Sequence, residues 1–152
     1  MMKTVSAIEA MANASEAFAE THDSYARIGD LAKTHGVSLR ALRFYEDKGL
    51  LSPRRDGSAR LYSRRESARL KLILLGRQVG FSLREIKQML DLYDPSGNNV
   101  KQLRVTLEKS QKQLARLQKQ RAAITEAIEQ LETAANVVRD RLSERTVSAA
   151  AS

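Results

Sequence analysis

Residues 28–46, IGDLAKTHGVSLRALRFYE, read as two short helices meeting at a glycine. Ile28, Leu31 and Ala32 stand at i, i+3 and i+4, which gives the first helix one apolar face. Gly36 ends it, and Val37-Ser38 restart the chain with Ser38 placed to cap the next helix. Val37, Leu39 and Leu42 are expected to close a small core against the first helix. A glycine turn and a serine-capped second helix of about nine residues make the helix-turn-helix pattern.

Gly49 stops the second helix, and Pro53 holds Ser52 out of helical conformation. The run Leu50 to Pro53 is therefore extended. Asp56-Gly57 marks a tight turn, and Arg60-Leu61-Tyr62 returns as a strand. The result is a two-stranded wing carrying Arg54, Arg55 and Arg60. Two capping boxes follow, Ser63 with Glu66 and Ser82 with Glu85, each starting a helix. The first of these helices should bury Ala68, Leu72, Leu75 and Val79, and the second Leu83, Ile86, Met89 and Leu90. Gly80 between them completes a second helix-turn-helix, and Asp94-Pro95-Ser96-Gly97 stops the domain.

From Val100 the apolar steps are regular. Leu103, Leu107, Leu114, Leu117, Ile124, Ile128, Leu131, Ala135, Val138 and Leu142 fill heptad core positions, broken at Ser110 and Arg121. No Gly or Pro between Lys101 and Ser152 offers an internal hairpin, so the stripe has to pair with another helix. The organisation expected is a disordered arm over 1–24, a winged helix-turn-helix domain over 25–94, a coiled-coil dimerisation helix over 98–145 and a frayed tail over 146–152. The fold class is mainly α, and the helix partner expected is a second copy of the chain.

Charge placement points to the ligand. The net charge is +8; residues 25–90 hold 15 basic and 6 acidic side chains, whereas residues 1–24 hold 1 and 4. A basic excess gathered on the compact part suits a surface that faces phosphates. A chain without cysteine has no disulfide, thiolate zinc site or cysteine redox sensor. His22 and His35 lie apart with no carboxylate at helical spacing, and no nucleophile–base set, paired carboxylates or phosphate loop points to an enzyme. No metal or cofactor is expected. No apolar run approaches the ~20 residues that span a bilayer, and the start lacks a secretory signal, so the expected location is the cytoplasm, at the bacterial nucleoid.

A helix lying in the major groove reads bases with its N-terminal residues and needs phosphate anchors on both sides. Ser38, Arg40, Ala41 and Phe44 are the outward candidates, with Arg40 matched to guanine's two acceptors. Arg43 and Tyr45 are placed for phosphates, Arg60 and Tyr62 for the backbone one groove away, and Arg77 and Arg84 for phosphate around Gly80. An architectural DNA-binding protein and a coiled-coil adaptor with an acidic protein partner stand as alternatives.

Together these motifs, with Gly49-Leu50-Leu51, Arg60-Leu61-Tyr62-Ser63 and Gly80-Phe81-Ser82-Leu83-Arg84-Glu85-Ile86, resemble the MerR family of bacterial transcriptional regulators. The resemblance implies a homodimer joined by an antiparallel coiled coil and reading an inverted repeat of double-stranded promoter DNA. It also implies that an effector lets the dimer bend and untwist the DNA, realigning promoter elements for RNA polymerase, which is thus engaged indirectly. Two positions depart from the family pattern: Phe44-Tyr45 replaces a Tyr-Tyr pair, and Ser58-Ala59-Arg60 replaces Gly-Tyr-Arg. Without cysteines the soft-metal and redox sensors of the family are excluded, and without a large domain after the coiled coil the multidrug-pocket type is not expected. Leu70 to Arg77 and Asp91 to Asp94 look like a subgroup controlling branched-chain amino-acid and acyclic-terpene breakdown. That similarity implies an acyl-CoA or related acid as effector, beside the alternative of a regulator with no small-molecule effector.

Overall fold

The computed structural model describes residues 24–94 and 96–152; the expectation of a disordered arm over 1–24 falls almost wholly outside them. The described chain runs β1 (Ala26–Arg27), α1 (Ile28–His35), α2 (Leu39–Asp47), β2 (Arg54–Asp56), β3 (Ala59–Tyr62), α3 (Arg64–Gln78), α4 (Leu83–Asp91) and α5 (Val100–Ala150).

The helix boundaries follow from capping chemistry. Ser38, Ser63 and Ser82 each take extended backbone and accept a hydrogen bond from the N–H three residues on. Each serine thereby satisfies a donor that the first turn leaves without an intrahelical partner. Gly36 closes α1 at φ 64°, a left-handed conformation that costs a side chain but not glycine.

Only the second capping box is complete. Glu85 returns to the Ser82 N–H, but Glu66 accepts the Ser52 N–H at 2.8 Å instead of that of Ser63. The carboxylate expected to finish a local cap fastens the segment before the wing to the start of α3. Arg69 adds two further ties, donating to the Leu50 carbonyl and, at 2.6 Å, to Asp91 on α4.

The wing is larger than expected. β2 and β3 pair antiparallel with Arg55 opposite Arg60, and Gly57 at φ 61° supplies the left-handed residue of the two-residue loop. The two residues of β1 pair with the other edge of β3, Ala26 opposite Tyr62 and Arg27 opposite Leu61, giving a three-stranded sheet ordered β1-β3-β2. A two-residue strand carries no periodicity, which is why the sequence pattern shows only two.

One core joins these elements. Leu31 and Ala32 of α1, Leu42 of α2, Leu50, Leu51, Tyr62, then Leu70, Leu72 and Ile73 of α3 and Phe81, Ile86, Met89 and Leu90 are all buried. Val105, in the second turn of α5, packs on the same core. Three expectations need correction. Leu39 lies outside the core at 42% exposure, because the buried arc of α2 centres on Leu42 and Tyr45. In α3 the deepest residues are Leu70, Leu72, Ile73 and Gly76, whereas Ala68, Leu75 and Val79 are half-buried. The apolar run from Leu70 to Leu75 is too continuous for spacing to single out one face. Leu50 and Leu51, expected as a mere extended link, are among the most buried side chains.

The chain divides into two compact units, residues 1–111 and 112–152. Helix α5 continues to Ala150, five residues beyond the expected boundary, so the tail over 146–152 is helical nearly to its end. Along α5 the side chains of Leu103, Leu107, Leu114, Leu117, Ile124, Ile128, Leu131, Val138 and Leu142 are all exposed in the single chain. No helix of the described residues is long and apolar enough to cross a membrane.

Candidate nucleic-acid interface

The outward side of α2 follows from helix geometry. With Leu42 and Tyr45 turned inward, steps of 100° place Leu39, Arg40, Arg43, Phe44 and Asp47 on the exposed arc. Arg40 and Arg43 are exposed, and neither makes an ion pair among the described residues. Ala41 is half-buried. The Ser38 hydroxyl is already engaged, accepting the Ala41 N–H at 3.0 Å, so its main use is to hold the first turn in place.

Phe44 is exposed, and the Lys48 ammonium sits 5.6 Å from its ring centroid. The ring of Tyr45 lies 6.1 Å from that of Phe44 and is half-buried against the core. A cation over an aromatic face at the end of α2 keeps one positive charge poised beside a flat apolar surface. Lys48 lies just past the end of α2, where the sequence carries no motif to single it out.

The wing is fastened to α2 by Glu46. Arg55 Nη2 of β2 donates to one carboxylate oxygen and Arg60 Nε of β3 to the other, both at 2.7 Å. Partial desolvation works to raise the Glu46 carboxyl, but the hydrogen bonds and charges of Arg60 and Arg55 outweigh it, and its pKa lies below the ordinary value. The strand alternation of β3 puts Arg60 and Tyr62 on one face, turned toward the domain. Arg60 is therefore only part-exposed, with its Nε committed to Glu46. Tyr62 is 1% exposed, and the backbone contact expected of it is withdrawn. Burial pushes its hydroxyl up, with the Glu46 charge adding to the shift.

Arg54 remains on the outer part of the wing, its guanidinium 5.7 Å from the Tyr25 ring centroid. Between the wing turn and the start of α1 lies an open hollow of about 350 Å³ bordered by Arg27, Gly29, Arg43, Ser58 and Arg60, with Asp30 as the acidic member. At the C-terminal end of α2, Arg84 in the first turn of α4 joins Lys48, Lys87 and Leu83 around a hollow of about 190 Å³. Lys87 is ion-paired with Asp91. Arg77 is exposed at the end of α3, its Nη1 3.5 Å from the Phe81 carbonyl oxygen. Basic side chains thus gather beside α2 at Arg43, with Arg27 and Arg60, and at its end by Lys48, with Arg84 and Lys87.

Among the described residues no cluster of His, Asp and Glu has the geometry of a metal site. His35 instead joins α1 to α3 through Nε2 and the Ser67 hydroxyl, 3.0 Å apart.

Two family models match this arrangement, "MerR HTH family regulatory protein" over residues 26–92 and "MerR, DNA binding" over residues 67–134. The chain belongs to the MerR family. Its relatives include the HTH-type transcriptional regulator CueR of Escherichia coli O157:H7, 40% identical over 85 residues. That alignment covers 54% of this chain and 63% of CueR, so the chain spans less than two thirds of that relative's length. A MerR-family transcriptional regulator from Bacillus cereus has the same fold at a TM-score of 0.60 and 25% identity, over 72% of this chain and 78% of that one. The transcription regulator PbrR691 of Ralstonia metallidurans CH34, in complex with lead(II), matches at 0.56 and 28% identity, over 70% and 85%. The first model spans both helix-turn-helix units and the wing between them, and the second runs from within α3 into α5.

Proposed function

We propose that the protein is a homodimeric, DNA-binding transcriptional regulator whose α2 reads each half of an inverted repeat at a promoter. One observation carries this reading: an exposed arc of α2 whose Arg40 and Arg43 make no ion pair among the described residues, with basic side chains of the wing and of α4 beside it. In that pose Arg40 meets base edges, Arg43 and Arg54 meet phosphates on the wing side, and Arg77 and Arg84 meet phosphates on the other. Arg60 acts first through Glu46, by setting the wing.

The apolar stripe of α5 supports the homodimer, since heptad leucines left in water favour pairing with a second copy. Two copies present two α2 helices, and an inverted repeat is the DNA symmetry that matches them. Regulation then requires an effector that binds one dimer conformation better than another, with the DNA shape following and RNA polymerase responding to that shape. CueR is a transcriptional regulator, and PbrR691 is one in complex with lead(II); in a chain without cysteine a thiolate metal site is not the switch. An acyl-CoA or related acid, the class implied by the subgroup similarity, is the first effector to screen. The site of action is the cytoplasmic nucleoid.

The test is footprinting with a salt titration on the DNA upstream of the protein's own coding region. Protection of an inverted repeat between promoter elements supports the proposal. Uniform weak binding, insensitive to sequence at constant salt, favours the architectural alternative, and no duplex binding at low salt favours the adaptor.

A further inference from the structure

Leu39 is the first residue of α2, 42% exposed, on a domain whose buried leucines and isoleucines are at most 3% exposed. It is not part of the core, which α2 meets through Leu42, 0% exposed, and Tyr45. It stands on the same arc as Arg40 and Arg43, one residue beyond the Ser38 cap, in the turn of a recognition helix that comes nearest to base edges.

We propose that Leu39 is a specificity-determining residue that reads a thymine through its 5-methyl group; the inference rests on the regulator reading above. In the major groove the edges of guanine, cytosine and adenine offer only hydrogen-bonding groups, and the thymine methyl is the one apolar feature. A leucine pressed on a polar edge would strip water from a donor or acceptor and return no hydrogen bond. Against a methyl group it removes apolar surface of both partners from water. Leu39 therefore selects thymine and rejects G·C pairs at one position in each half-site, beside the base pair met by Arg40.

The experiment uses the full chain and a duplex that it selects from a random library. Each thymine of the half-site is replaced in turn by uracil, which removes the methyl and nothing else. Binding is measured at fixed salt for the wild type, Leu39→Ala and Leu39→Met. We expect one position at which uracil weakens the wild type about fourfold, the worth of one buried methyl. The effect should persist in Leu39→Met and vanish in Leu39→Ala, whose melting temperature stays at the wild-type value. Specific binding with no uracil effect that depends on residue 39 overturns the assignment of Leu39 and leaves the regulator standing. Failure of the library to yield any preferred duplex overturns the regulator reading, and this inference with it.

Discussion

The winged domain and the long helix use their apolar residues in opposite ways. In the domain, Leu42, Leu70, Ile73, Ile86 and Met89 reach full burial within one chain, drawn from three helices. On α5, Leu107, Leu114, Ile124, Leu131 and Val138 remain more than half exposed although they repeat with heptad spacing. The first region closes its own core; the second carries the pattern of a core without its other half. Stability of the domain should accordingly be a property of the single chain, and stability of α5 a property of protein concentration.

Leu117→Asp gives the sharpest test of that contrast. At a paired heptad position it would bury unpaired charge, a cost on the order of 4 kcal/mol or more. Light scattering should report twice the 17.0 kDa chain mass for the wild type and the single mass for the variant. An unchanged mass would reject pairing through this face. Next in size, Ile73→Ala should cost about 2–4 kcal/mol, the range for emptying a large aliphatic site in a closed core. Denaturant melts of the domain signal should show this loss equally at low and high protein concentration; a loss that grows on dilution would erase the distinction between the regions.

Within the domain, Arg40→Ala is expected to cost about 1–3 kcal/mol of specific binding and little of the nonspecific affinity. Equal losses on operator and scrambled duplex would remove its base-reading role. Glu46→Gln should cost about 1–2 kcal/mol of stability, since it weakens two charge-assisted hydrogen bonds that hold the wing. The Glu46 carboxyl titrates below its ordinary value when folded. Its contribution is therefore present above the unfolded carboxyl's pKa and lost as pH falls through the lowered folded one, and the variant should flatten that acid limb.

The smallest effect belongs to His35. Partial burial, then the charge of Lys71, holds its pKa below 6.5. Below pH 6.5 the unfolded chain takes up a proton that the folded one resists. Stability should fall as pH drops through that window and level off once the folded histidine also protonates. Urea melts of the wild type and His35→Gln across it measure the difference; identical slopes would dismiss the coupling.

Local chemistry was the legible part of this protein. The serines that cap α2, α3 and α4, the glycines that end α1 and turn the wing, and the heptad steps of α5 each act within a few residues. Their outcome can be read from spacing. Elements that depend on which neighbour arrives from far along the chain were not legible. Leu39 and Leu42 are equally apolar, yet the packing partner chooses one. Tyr62 looks like a phosphate ligand until strand alternation turns it inward with Arg60. Glu46 reads as one acid among many bases, and only the folded wing brings Arg55 and Arg60 to its two oxygens. For the candidate surface, therefore, the sequence indicated the helix and its basic character, while packing decides which side chains of α2 stay exposed.

The short strand β1 has a consequence for solubility. Ala26 and Arg27 pair along this edge of β3, so the backbone groups that β3 turns to that side beside Leu61 and Tyr62 do not face water. A chain trimmed to begin at Ile28 would keep both helix-turn-helix units and lose this edge cover. Open strand edges recruit other strands, and two such molecules would meet edge to edge through β3. Two residues with no visible pattern are thereby expected to keep that edge of β3 from pairing with another chain.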